Sequence, residues 1–236
     1  MISVLDYGAG NLRSVANTLE AIGAPYELVR DTAGLARATK ILLPGVGHFG
    51  QMMRALDQLE VRGVLIDRIR AGVPFFGICL GMQALFSRSD EAPEERGLGL
   101  FEDQVRRFAG KFRIPHMGWN SIELRARKAD EDVGSPPRLA APQGAAPRGA
   151  SPQGAAPQRA GAQRGTSRLL AKVGAKPFVY FAHSYYAPVI SATAATCDYT
   201  LPYTAVLEHE NIFGVQFHPE KSGAVGQSIV RAFVEM

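Results

Sequence analysis

The sequence predicts an α/β protein with a mixed, mostly parallel central sheet and helices on both faces. Three observations predict it. Short apolar runs alternate with amphipathic stretches over residues 1 to about 125, as expected of strands buried on both faces and joined by crossover helices. Glycine loops at 8–10 and 45–47 follow two of those runs, at the strand ends where such sheets bind ligands. At a third such end, Cys79 stands inside Gly77-Ile78-Cys79-Leu80-Gly81.

Taken in order, Ile2–Tyr7 reads as a strand and Asn11–Ile22 as a helix, with Leu12, Val15, Leu19 and Ile22 on one face. Tyr26–Val29 and Lys40–Leu43 read as strands, and Phe49–Arg70 as mostly helical. Pro74–Ile78 is a buried strand that runs into Cys79, and Met82–Phe86 looks helical. Later, Phe178–Ala182, Ala205–His209 and Ile212–Phe217 read as strands. Glu210-Asn211 is a plausible hairpin turn between the last two. A final helix is expected from Ala224 to Val234.

The character of the chain changes at about residues 126–167. Four degenerate five-residue units, from Ala141-Pro142-Gln143-Gly144-Ala145 to Ala156-Pro157-Gln158-Arg159-Ala160, form its centre. Between Ala140 and Thr166 there is no aromatic and no large aliphatic side chain. Such a tract buries too little apolar surface to offset its ordering entropy. The expectation is one domain over 1–236, interrupted by a disordered, solvent-exposed insertion, with order returning at Pro177.

The same tract explains the charge. The net charge is +4, but Arg138, Arg148, Arg159, Arg164 and Arg168 fall in a stretch without acidic residues. Outside it, 21 basic residues face 22 acidic ones. The basicity is therefore weak evidence for nucleic-acid binding. Two cysteines, Cys79 and Cys197, make no disulfide framework and fit a reducing compartment. No Cys/His spacing suits zinc. The N-terminal residues do not read as a signal peptide, and the longest apolar stretch, Gly72 to Phe86, is too short to span a bilayer. A cytoplasmic protein is expected.

Glycines two residues either side of Cys79 permit a sharp strand-to-helix turn, and a following helix N-terminus favours thiolate. Taken singly, Cys79 also reads as a buried structural cysteine. A thiol nucleophile needs a base held by a third group. Of His48, His116, His183, His209 and His218, the last ends an apolar run and precedes Pro219 and Glu220. Proline fixes the chain, and a carboxylate two residues on can turn back to the imidazole. Taken singly, His218 also reads as a satisfied strand-end histidine.

Gly-Ile-Cys-Leu-Gly at 77–81 with the later His218-Pro219-Glu220 resembles the class I glutamine amidotransferases. The opening Leu5-Asp6-Tyr7-Gly8-Ala9-Gly10-Asn11-Leu12 and the run Pro115-His116-Met117-Gly118-Trp119-Asn120 resemble the glutaminase subunits of imidazole glycerol phosphate synthases. Pro44-Gly45-Val46-Gly47 and His183-Ser184-Tyr185-Tyr186 match as well. The resemblance covers about residues 1–125 and 177–236.

It implies an amidotransferase-like sheet with a flavodoxin-like core and an antiparallel extension. It implies Cys79 as nucleophile on the side-chain amide of L-glutamine, His218 as proton donor to the leaving ammonia, and Glu220 as the group that orients His218. The oxyanion would be met by the N–H of Leu80 and one from the Val46–Gly47 loop. Gln83 and Glu91, with His183, Ser184 and Tyr185, would hold the rest of the glutamine. The partner implied is a (β/α)₈-barrel cyclase subunit that receives the ammonia, met by Asn11, Met117, Trp119, Asn120 and Lys221. No metal, cofactor, nucleic acid or membrane is implied, and His48 receives no role.

Rival readings are another class I amidotransferase, a stand-alone cysteine hydrolase on the same fold, or a catalytically silent scaffold. The run 115–120 argues against the first, and the complete Cys79, His218 and Glu220 set against the last. Limited proteolysis is expected to cut first between 126 and 167 and to leave a folded, active core. A protease-resistant repeat contradicts the disorder expectation.

Overall fold

The apolar runs pair edge to edge into a broad sheet. The computed structural model describes residues 1–9, 11–110, 112–125 and 167–236. The expected insertion lies almost wholly outside the described residues. The strands are β1 (Ile2–Leu5), β2 (Tyr26–Val29), β3 (Ile41–Leu43), β4 (Phe75–Ile78), β5 (Phe86–Ser89), β6 (Phe101–Arg107), β7 (His116–Ser121) and β8 (Glu123–Leu124). After the gap come β9 (Phe178–His183), β10 (Tyr185–Tyr186), β11 (Thr193–Asp198), β12 (Pro202–His209) and β13 (Ile212–Val215). The helices are α1 (Leu12–Ala21), α2 (Thr32–Arg37), α3 (Phe49–Gln58), α4 (Val61–Arg70), α5 (Leu80–Gln83) and α6 (Gly223–Glu235).

Eight strands form the main sheet, in the order β2-β1-β3-β4-β13-β12-β11-β8, among the described residues. The first five run parallel. The last three continue antiparallel, which gives the mixed sheet and the expected extension. β5, β6 and β10 make a small second sheet, and β7 pairs with β9 in a two-stranded ribbon.

The apolar runs are continuous because both faces of the parallel half are covered. Ile41, Leu43, Phe75 and Ile212 enter one core with Met52 and Leu56 of α3 and Leu65 and Ile69 of α4. Their sequence neighbours Leu42, Phe76 and Phe213 enter the other, with Val15 and Leu19 of α1 and Ile229 and Phe233 of α6. There the Phe76 and Phe233 rings pack at a 31° tilt with centroids 5.1 Å apart. At roughly 25 cal/mol per Å² of apolar surface, each such buried side chain contributes about 2 kcal/mol.

The structure corrects several sequence expectations. The stretch 49–70 is mostly helical as expected, but divided into two helices where the chain turns at Glu60 in the left-handed region with φ 58°. Met82–Phe86 is not helical throughout. α5 ends at Gln83, and Phe86 opens β5, whose strand pairs with Phe101 of β6. The fully buried Phe86 ring, 5.6 Å from Phe101, rewards the extended path. The described residues resume at Ser167, ten residues before Pro177. Leu169 and Leu170 are buried, and Arg168 pairs with the buried Glu208 at 2.9 Å and covers the Phe213 ring at 4.5 Å. Arg168 thus belongs to the fold, not to the basic tract. The hairpin turn at Glu210-Asn211 forms as expected, with His209 opposite Ile212.

Glu60 is exposed and occupies a position where a Cβ is penalised. Glu60→Gly is expected to stabilise the protein by about 0.5–1 kcal/mol, read as a raised urea midpoint at unchanged m-value.

Candidate active site

β4 ends in a turn that only closely packed backbone can make. Cys79 has φ 52° and ψ −105°, a conformation that persists only when its surroundings enforce it. A Cβ on Gly77 would lie 2.5 Å from the Gly81 carbonyl oxygen, and one on Gly81 would lie 2.0 Å from the Leu43 carbonyl oxygen. The two glycines therefore let the turn fold back on itself and against the end of β3. The Cys79 N–H donates to the Val215 carbonyl at 2.7 Å, which locks the turn to β13.

β13 continues through Gln216 and Phe217 to His218. The His218 N–H donates to Tyr180 on β9, and its carbonyl accepts from the Ser222 hydroxyl at 2.7 Å. A 3₁₀ turn at Pro219–Lys221 then brings Glu220 Oε1 to 2.9 Å from His218 Nδ1. Both side chains are buried. Burial opposes a proton on His218, but its hydrogen bonds to Cys79 and Glu220 outweigh that cost and push its pKa up to about 10. The imidazole keeps its proton through the neutral range, with Nδ1–H on the carboxylate and the other nitrogen turned to the sulfur.

A cavity of about 270 Å³ opens over this pair. Val46, Gly47, Cys79, Leu80, Gln83, Glu91, Met117, His183, Ser184, Tyr185 and His218 all line it. Eleven residues singled out from the sequence thus meet at one opening. Pro115 and Ala182 complete the lining, and Glu220 stands behind His218. Among the described residues no cluster of three or more His, Cys, Asp or Glu could hold a metal ion.

Several lining groups already have internal partners. Glu91 Oε2 accepts from the Phe49 N–H at 2.7 Å. His48, left without a role by its sequence, caps α3 by accepting from the Gly50 N–H. Gln83 Nε2 donates to the Tyr185 carbonyl at 2.8 Å. That carbonyl also takes His183 Nδ1 at 2.8 Å. Burial pushes His183 down to about 3 and His116 down to about 4, so both are neutral. They share the Tyr203 hydroxyl, at 3.3 and 3.1 Å. The Val46 amide interacts with the buried Tyr7 hydroxyl, which has no well-aligned hydrogen-bond partner among the described residues.

The residues assigned to a partner surface divide. Met117 and Trp119 are 62% and 57% exposed on β7. Trp119 meets Tyr180 edge-on at 6.1 Å, and the Lys221 ammonium lies 5.7 Å from the same ring. Asn120 instead donates to the Asp198 carbonyl at 3.0 Å, and Asn11 accepts from the Ser14 hydroxyl at the start of α1. Gln216, Tyr203 and Tyr7 were missed by sequence reasoning. A glutamine inside an otherwise apolar strand is the signal that marks Gln216, since buried polar side chains need partners.

Comparison with known proteins identifies the family. A family model described as "Glutamine amidotransferase class-I" matches residues 3–236. The chain belongs to the class-I glutamine amidotransferase family. It is 38% identical to "Imidazole glycerol phosphate synthase subunit HisH" of Deinococcus radiodurans over 98% of this chain and 92% of that protein. It is 39% identical to the subunit of the same name from Methanothermobacter thermautotrophicus, over 100% of this chain and 98% of that one. A solved glutamine amidotransferase shares the fold, with TM-score 0.66 at 17% identity, over 99% of this chain and 97% of that chain.

Glu220 raises the His218 pKa, so removing its charge lowers it. In Glu220→Gln the alkaline limb of kcat/KM for glutamine is expected to move to lower pH by about one unit. An unmoved limb means that Glu220 does not hold the His218 proton.

Proposed function

We infer that this chain is the glutaminase subunit of an imidazole glycerol phosphate synthase. The observation that carries the reading is the hydrogen-bonded set Cys79, His218 and Glu220 at a cavity of amino-acid size. Full-length identity of 38–39% to two proteins of that name supports it.

The Cys79 sulfur attacks the side-chain amide carbon of L-glutamine, and the carbonyl oxygen takes up the negative charge. The Leu80 N–H, first after the nucleophile, and an N–H of the Val46–Gly47 loop meet that charge. Collapse breaks the C–N bond, and His218 gives its proton to the departing ammonia. A thioester remains. Water adds to it while His218 takes back a proton, and glutamate leaves with the sulfur restored. Glu220 keeps the imidazole oriented throughout.

Gln83 Nε2 is committed to Tyr185 and Gln216, so its Oε1 is the atom left for the glutamine ammonium. Glu91 on the cavity wall is a second acceptor. Ser184, Tyr185 and His183 supply backbone around the substrate.

Ammonia released into water is protonated and loses its nucleophilicity. A (β/α)₈ cyclase docked on β7 would receive it directly and use it to form imidazole glycerol phosphate and AICAR in histidine biosynthesis. Exposed Trp119 and Met117 beside the cavity mouth, with Lys221 against Tyr180, suit such a surface. Asn11 and Asn120 complete the proposed face. The chain is read as a cytoplasmic domain with its insertion at about 126–167. Among the described residues no helix is long and apolar enough to cross a membrane.

Glutamine hydrolysis should be slow for the chain alone. It should rise at least about tenfold with a cognate cyclase and its nucleotide ligand, and vanish in Cys79→Ala. Full activity without the cyclase points to a stand-alone hydrolase.

A further inference from the structure

A chain of hydrogen bonds ends on the Cys79 sulfur and settles which group faces it. Gln216 is fully buried, and its Nε2 lies 3.5 Å from Cys79 Sγ. An amide nitrogen and oxygen look alike in shape, so its orientation must follow from its partners.

The orientation is set from the far end. The Tyr185 carbonyl can only accept, so the Gln83 group 2.8 Å away is its NH₂. That NH₂ has a second hydrogen, directed at Gln216 at 3.0 Å. The Gln216 atom there must accept, and is therefore Oε1. The Gln216 NH₂ is then left facing the sulfur as a donor.

The same carbonyl orders the groups behind it. His183 Nδ1 carries the proton that the Tyr185 carbonyl accepts, so His183 Nε2 accepts from the Tyr203 hydroxyl. The Tyr203 oxygen in turn accepts from His116 Nδ1. Each donor in the series has an acceptor: on the His183 side every bond points toward the Tyr185 carbonyl, and on the other side the bonds diverge from the Gln83 NH₂, one to that carbonyl and one toward Gln216 and the sulfur. The Gln216 backbone N–H donates to Ala205 at 2.9 Å, which fixes the base of the side chain.

We propose that Gln216 is a catalytic residue of this family member, donating a hydrogen bond from a fully buried side chain outside the cavity lining that holds and stabilises the Cys79 thiolate. It complements His218. His218 must surrender its proton to ammonia during each turnover, whereas the Gln216 amide never titrates. A fixed donor therefore remains on the sulfur when the thioester breaks and the thiolate returns. The inference rests on Cys79 being the nucleophile. The other titratable groups near the sulfur are His218, Tyr7 and Tyr203, with Glu220 and His183 behind them.

Gln216→Met keeps length and volume and removes the donor. In the full-length chain, the pH midpoint for Cys79 alkylation by iodoacetamide is expected to rise by about one unit. With the cyclase bound, kcat should fall about tenfold, as for loss of a hydrogen bond to a charged group, while KM for glutamine stays within about twofold. An unmoved midpoint in a variant with native circular dichroism overturns the proposal. Should the variant not fold, the wild-type chain labelled with ¹⁵N-glutamine gives the answer. The Gln216 side-chain NH₂ resonances should titrate with the alkylation midpoint and stop titrating in Cys79→Ser. Resonances indifferent to pH overturn the proposal. Cys79→Ala tests the nucleophile separately: retained glutaminase activity there would defeat the functional reading whatever Gln216 does.

Discussion

The site depends on backbone packed directly against backbone at the ends of β3 and β4. Gly77, Gly81 and Gly45 meet there without side chains between them, and a Cβ on Gly45 would lie 2.5 Å from the Gly81 nitrogen. This closeness forces Cys79 into its left-handed conformation and turns its side chain out of the sheet. It also brings the glycine loop at 45–47 beside Cys79. The candidate oxyanion donors at Leu80 and Val46 are thus neighbours by packing, although they are far apart in the chain. Strain at Cys79 is sustained by the buried sheet on both sides of it.

Around that turn the protein treats its histidines in opposite ways. His218 is buried with a carboxylate and a thiol, and its proton is held well above the usual range. His183 is buried with a tyrosine hydroxyl and a peptide carbonyl, and its pKa falls well below that range. Burial disfavours charge in both cases, and only a compensating negative partner reverses the outcome. The first ring therefore holds a proton beside the Cys79 sulfur, where the proposed mechanism needs one, and the other is a neutral element of the wall. The neutral network also lies under β7, the strand that presents Met117 and Trp119 outward. His116 on β7 faces His183 on β9 across the ribbon, so the proposed docking face and the pocket share two paired strands.

The parallel half of the fold and the candidate reactive groups were legible in the sequence. Short apolar runs such as Pro74–Ile78, bounded by glycines and rich in aromatics, read as strands covered on both faces, and Gly-x-Cys-x-Gly suits a tight turn at a strand end. The His-Pro-Glu order places a carboxylate within reach of an imidazole through local chain geometry alone. What the tertiary structure decided is non-local. β5, β6 and β11 carry mixed polar faces, and their strand state comes from pairing. Phe86 left the helical pattern because a buried partner ring rewards extension. Arg168 joined the fold because it pairs with the buried Glu208, 40 residues away in the sequence. Gln216 and Tyr203 became part of the site only when β13 and β12 were laid beside Cys79 and His183. Their roles rest on which donor meets which acceptor across the sheet, and no local pattern encodes that.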